Sequence, residues 1–209
     1  MPTQNVKTKR AIYGFFSAVI LWSIVCFIVW FLSARILNIP LIWLAKWILG
    51  YLSDGVIDNV TMHLIGDGAQ KFINQQLIIH TNIPPIGTQP VYSPTSPLIY
   101  GYGLALFSAM TFATPKDEEK KWRDIAIAYI VFLFVQLFGI SNKAFIDFVW
   151  HAPPAISDYF PLLKAHQDIL GASYQIATLV LPPVTPLVLW ISFNTAYMEQ
   201  LVGHRLIVK

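Results

Sequence analysis

Five histidines (His63, His80, His151, His166 and His204) and one cysteine, Cys26, are the residues best suited to reactive chemistry in this 209-residue chain. His151 and His166 lie near Asp158 and Asp168 in sequence, a set that could form an acid–base pair or a metal site. The spacings sharpen neither reading. No HExxH or other compact ligand pattern occurs, and a single cysteine cannot build a Cys-based metal site or an intrachain disulfide. Cys26 lies inside a long apolar run, whereas all five histidines lie outside such runs, which argues against a nucleophile–base pair. The chain has no serine-hydrolase elbow, Walker loop or dinucleotide fingerprint, and Gly101-Tyr102-Gly103 lacks the Lys-Ser/Thr end of a phosphate loop. These residues predict no catalytic set, no metal and no cofactor. His151, Asp158, His166 and Asp168 remain as weak polar-site candidates.

The elements around them are dictated by hydropathy. The chain is 56% apolar and 12% charged, against about 45–50% and about 25% for an ordinary soluble domain. A net charge of +3, thinly dispersed, excludes a nucleic-acid surface. After a cytoplasmic N-terminus over 1–10, residues 11–34 carry no charge. As a helix they rise about 36 Å, enough to cross a hydrocarbon core of about 30 Å. This run is too long for a signal-peptide core, so an uncleaved anchor is expected. Further uncharged runs at 97–114, 125–142 and 169–197 predict a second, third and fourth transmembrane helix. Pro182, Pro183 and Pro186 should break the last one.

Residues 35–96 then form an outer insert. It begins with an interfacial helix carrying Trp43 and Trp47, followed by a small module of mixed α/β character. Asn59, Thr61 and His63 alternate with Val60, Met62 and Leu64, the period of a half-buried strand. Gly66-Asp67-Gly68 suggests a turn, and 69–79 could be a second strand or a short helix. The charge cluster over 115–124 should be a water-exposed cytoplasmic turn, 143–168 a periplasmic loop and 198–209 a cytoplasmic tail. Nine of the 14 basic residues fall in 1–10, 115–124 and 198–209, so the positive-inside rule places both termini in the cytoplasm. The expectation is a mainly α, four-helix, multi-pass protein of the bacterial inner membrane, with membrane lipid around it.

Two stretches carry a family resemblance. Ser96-Pro97-Leu98-Ile99-Tyr100-Gly101-Tyr102-Gly103-Leu104-Ala105-Leu106 resembles the Asn-Pro-Leu-x-Tyr-x-Tyr-Gly-x-Pro-Leu pattern of exosortase H-associated membrane proteins, with Ser96 and Ala105 in place of Asn and Pro. Leu181-Pro182-Pro183-Val184-Thr185-Pro186-Leu187-Val188-Leu189-Trp190 resembles the proline-rich last span of the same group. The resemblance implies a non-catalytic accessory or scaffold protein of an exosortase-type protein-sorting system. Its partner would be another inner-membrane protein, such as the exosortase, or an exported substrate. Pro97, Tyr100, Gly101, Tyr102, Gly103, Pro182, Pro183, Pro186 and Trp190 then become the candidate partner or packing surface. Two other classes stay open: a small channel or transporter subunit with its path beside Pro182–Pro186, and, more weakly, a membrane-embedded enzyme using the polar loop residues.

Overall fold

The computed structural model describes residues 2–64, 75–85 and 90–202, with side chains between residues 12 and 201. The expected Gly66–Gly68 turn, the 69–74 half of the second strand-or-helix segment, and His204, Arg205 and Lys209 lie outside the described residues. In chain order the elements are α1 (Pro2–Leu37), α2 (Ile39–Leu52), β1 (Ile57–Leu64), β2 (Gln75–Thr81), β3 (Tyr92–Thr95), α3 (Leu98–Gly101), α4 (Gly103–Ala113) and α5 (Glu118–Ile146). A π-helical turn (Asp147–His151) extends α5, and α6 (Pro154–Ser157), α7 (Pro161–Ala165) and α8 (Gln167–Gln175) follow. A second π-helical turn (Ile176–Val180) leads into α9 (Leu181–Phe193), and α10 (Thr195–Val202) ends the described chain.

Among the described residues three helical stretches are long and apolar enough to cross a membrane: Ile12–Leu37, Glu118–His151 and Gln167–Phe193. In the first, Ile20, Leu21 and Leu32 are each 66% exposed. A helix that shows apolar side chains all round to its surroundings needs an apolar solvent, and the bilayer supplies one. The expected second span corresponds to a shorter apolar stretch, Leu98–Ala113, interrupted at Tyr102 where α3 gives way to α4.

The chain divides into two compact units. One comprises Met1–Phe31, Tyr102–Val131 and Pro183–Lys209. Trp190 organises it: the indole is 4% exposed, stacks on Phe15 with ring centroids 5.0 Å apart, and donates to Thr114 Oγ1 at 3.0 Å. The 115–124 cluster is less solvated than its charge suggests. Asp124 is buried and pairs with Lys116, whose Nζ also donates to the Phe193 carbonyl at 3.3 Å. Lys120 stays outside, donating to exposed Asp117 at 2.5 Å and holding that carboxyl below the usual carboxylate range. Glu118 and Glu119 occupy the first turn of α5, where negative charge favours the helix dipole.

The other unit comprises Leu32–Gly101 and Phe132–Pro182. Pro40 sits in the first turn of α2, where its missing N–H costs nothing. Leu41, Ala45 and Leu49, spaced four apart, are fully buried, while Ile39, Trp43, Trp47 and Tyr51 form an exposed stripe. The turn out of α2 uses Asp54 and Gly55 at φ values of 50° and 81°, which glycine accepts without a Cβ clash. The described part of the segment expected as strand or helix, from Gln75 onward, is a strand. β1, β2 and β3 form an antiparallel sheet in that order, with Val60 opposite Ile79 and Ile79 opposite Ser93.

Period-two alternation puts Val60, Leu77, Ile79, Ser93 and Thr95 on the buried face. Asn59, Thr61, His63, His80 and Tyr92 share the other. Thr81 donates its N–H to the Val91 carbonyl, so Val91, Ser93 and Thr95 turn their backbone groups toward β2. Pro94 therefore falls at a position whose nitrogen faces the open edge, where a strand tolerates proline.

Ile79→Ala should cost about 2–5 kcal/mol and clearly lower the denaturation midpoint of the detergent-solubilised protein. Ile78→Ala, on the opposite face, should shift it much less. Equal losses would contradict the assignment of inner and outer faces.

Candidate functional site

The first motif stretch begins where β3 ends. The Pro97 carbonyl accepts Gln136 Nε2 at 3.3 Å, and the same amide donates to Asn38 Oδ1 at 3.3 Å. Gln136 and Asn38 are 6% and 2% exposed, so this bridge ties the start of α3 to the α1–α2 junction and to α5 inside the protein. Among the described side chains Asn38 Nδ2 is buried without a partner. Gly101 faces the Gln136 amide so closely that a Cβ there would overlap it. Tyr100 is 2% exposed, interacts with the Thr95 and Thr178 side chains, and lays its ring across Gly139. A Cβ on Gly139 would lie only 2.7 Å from Tyr100 Cε1. Close approach of the Tyr100 ring thus requires glycine at 139, the use small residues have between membrane helices, while Gly101 leaves the space that the Gln136 amide fills.

Tyr102 and Gly103 belong to the other unit. The Tyr102 carbonyl accepts the Ala105 N–H at 3.1 Å and the Leu106 N–H at 3.4 Å. Proline at 105 would lack the first of these donors, though a helix's first turn tolerates the loss. Ser96, whose carbonyl accepts the Ile99 N–H, stands at a turn opening suited equally to Asn.

In the second stretch the prolines do not interrupt the helix. Pro182, Pro183 and Pro186 all lie within α9. The irregularity comes earlier, as the π-helical turn Ile176–Val180, where Leu181 N–H bonds to the Ile176 carbonyl. Proline lacks the N–H and its ring crowds the carbonyl four residues back. A turn widened by one residue just ahead of the proline pair absorbs that conflict locally. Trp190 has the anchoring role described above.

The polar candidates do not assemble. His151 Nδ1 lies 3.0 Å from Asp147 Oδ1, and Asp158 pairs with Lys164 at 2.6 Å. His166 lines a largely apolar cavity of about 670 Å³ floored by a Ser173–Asn142 hydrogen bond of 2.5 Å. Asp168 sits in the first turn of α8. Among the described residues no group of three or more His, Cys, Asp and Glu is placed to hold a metal ion.

The polar centre that does form is built on Asp147. Lys143 Nζ reaches its two oxygens at 2.5 and 2.6 Å, Ser93 Oγ donates at 2.6 Å, and His151 completes the set. An open cleft of about 620 Å³ beside it is lined by Pro90, Tyr92, Pro94, His151 and Pro153 among others.

A family model described as exosortase H-associated membrane protein matches residues 9–197. The chain belongs to that family. No match is found among the curated proteins or the solved structures.

In this exosortase H-associated protein, then, the motif residues Pro97, Tyr100 and Gly101 are interior packing groups. Their partners Asn38, Gln136 and Gly139 escape a reading of the sequence, because each is an unremarkable residue within an apolar run. Asp147 carried a legible signal: Lys143, Asp147 and His151 are spaced four apart, which stacks them on one helical face once α5 continues past residue 142. Ser93, 54 positions away from Asp147, carried none.

Gly139→Val should overpack the Tyr100 site, cost at least about 1–3 kcal/mol, and be relieved by combining it with Tyr100→Ala; thermal midpoints of the two single variants and the double variant test the coupling. Asp147→Ala leaves Lys143 and Ser93 without their acceptor and should cost about 1–3 kcal/mol. Limited proteolysis should then cut the 53–96 segment faster than in the parent, and an unchanged digestion rate would contradict an anchoring role for the carboxylate.

Proposed function

We propose that this membrane protein is a non-catalytic accessory or scaffold subunit of an exosortase-type protein-sorting system in the bacterial inner membrane. Family membership carries the reading. It is supported by the interior use of the motif side chains, which preserve a shape rather than present a reactive group. The chain crosses four times in this proposal, with Leu98–Ala113 as a short second crossing accommodated by local thinning of the bilayer. The basic residues at both ends and in the 115–124 turn keep those segments cytoplasmic. The strand-containing segment 53–96 and the 143–168 region then lie outside, available to an exosortase or to an exported substrate. The exposed stripe of Ile39, Trp43, Trp47 and Tyr51 suits a helix lying at the membrane surface.

Two measurements test this. In a Cys26→Ala background, single cysteines at Asp58 and Asp158, both exposed, should react with a membrane-impermeant maleimide in intact spheroplasts, and one at Glu119 only after lysis. Affinity purification from native membranes after mild crosslinking should recover the exosortase encoded in the same cells. Reaction at Glu119 in intact spheroplasts would invert the topology. Recovery of the chain free of exosortase, together with solute conductance in liposomes, would favour the channel reading.

A further inference from the structure

On the outward face of the sheet two imidazoles converge on one hydroxyl. His80 Nε2 lies 2.8 Å from Thr61 Oγ1, and His63 Nε2 lies 3.1 Å from the same oxygen. His63 and Thr61 are two apart on β1 and so share a face. His80 follows on β2, opposite Asn59, which returns its side chain to its own strand by accepting the Val60 N–H at 3.0 Å. His63 is exposed and His80 half-buried, so one ring is free to turn and the other is held.

A threonine hydroxyl has one proton, so it can donate to only one of the two nitrogens. The second nitrogen must donate to the oxygen instead. The shared hydroxyl gathers two ring nitrogens around a single point, one accepting and one donating, so a metal ion binding both would displace the hydroxyl from between them while the donating ring moves its proton to Nδ1. Given their distances to Thr61 Oγ1, the nitrogens are no more than about 6 Å apart. A metal ion bound by both, at bond lengths of about 2.0–2.1 Å, needs them about 3–4 Å apart. Rotation of the exposed His63 ring covers the difference.

The donors offered are neutral imidazole and hydroxyl oxygen. The residues facing the pair from the neighbouring strand positions, Gln76 opposite His63, and Asn59 and Tyr92 on either side of His80, add no carboxylate. Such a set selects borderline divalent ions, copper(II), nickel or zinc, over calcium or magnesium, which prefer charged oxygen ligands.

We infer that His63 and His80, drawn together by Thr61, form a binding site for a borderline divalent transition-metal ion on the outer face of the sheet. Water completes the coordination because the face is open.

The test uses the full chain in nanodiscs, purified without a histidine tag and titrated with copper(II) at pH 7.5. One equivalent should bind saturably, with an electron paramagnetic resonance spectrum showing coupling to two imidazole nitrogens. His63→Ala and His80→Ala should each weaken binding at least tenfold, with circular dichroism unchanged. Thr61→Val, which keeps both rings but removes the hydroxyl that gathers them, should weaken binding while retaining the two-nitrogen spectrum, and His151→Ala should behave as the parent. Absence of stoichiometric binding, or a spectrum unaltered in the His63→Ala/His80→Ala double variant, would overturn the site and leave only a hydrogen-bonded side-chain row.

Discussion

Ser93 points from the buried face of the sheet and donates a hydrogen bond from its hydroxyl to Asp147, whose carboxylate also accepts from Lys143 and His151 at the end of the long α5 helix and its π-helical extension. Much else in that unit depends on this junction. The sheet is small, and three short strands with one apolar face cannot hold themselves together in isolation. Its inner residues, Val60, Leu77 and Ile79, join a core with Leu41 and Leu49 of α2 and with Ile140 and Phe148. Burial supplies most of the free energy there but fixes no unique register. The carboxylate, with directional donors on both sides, fixes where along the helix the strand sits.

A similar division of labour recurs at the Asn-Pro-Leu-like motif. Apolar surroundings give little reason for one helix to prefer another, since lipid tails are as greasy as leucine. Specificity has to come from shape and from polar groups that cannot be left unpaired. Tyr100 over Gly139 supplies the shape, and the Gln136 amide between Asn38 and the Pro97 carbonyl supplies the polar tie. Both are costly to disturb in a medium that cannot replace a lost hydrogen bond with water.

What could be read in advance follows from what is local. Apolar runs and period-two alternation are one-dimensional properties, so the long helices and the first strand were legible before any coordinate. Strand β2 was legible only as an alternative to a helix, because its pairing with Val60 and Met62 is not written in its own residues. That the weak polar candidates lie apart has a related reason. His151 and His166 are close in sequence, yet their neighbours in space are Asp147 for one and an apolar cavity for the other. The solvated turn expected over 115–124 hides a buried carboxylate, Asp124, since charge in a sequence says nothing of a lysine folding back over it. The π-helical turn ahead of the prolines is likewise a compromise between backbone sterics and packing that composition alone does not encode.

Pro94 carries a consequence for how the three-stranded sheet can meet other chains. A bare strand edge is indiscriminate, because any extended backbone can pair with it, including that of a second copy or of a chain still in transit across the membrane. By withholding a donor at that edge, the proline makes this side of the sheet a poor template for adding another strand. Encounters there have to be decided by side chains, which differ from one partner to the next. Selectivity at this surface thus begins with a residue that prevents a bond.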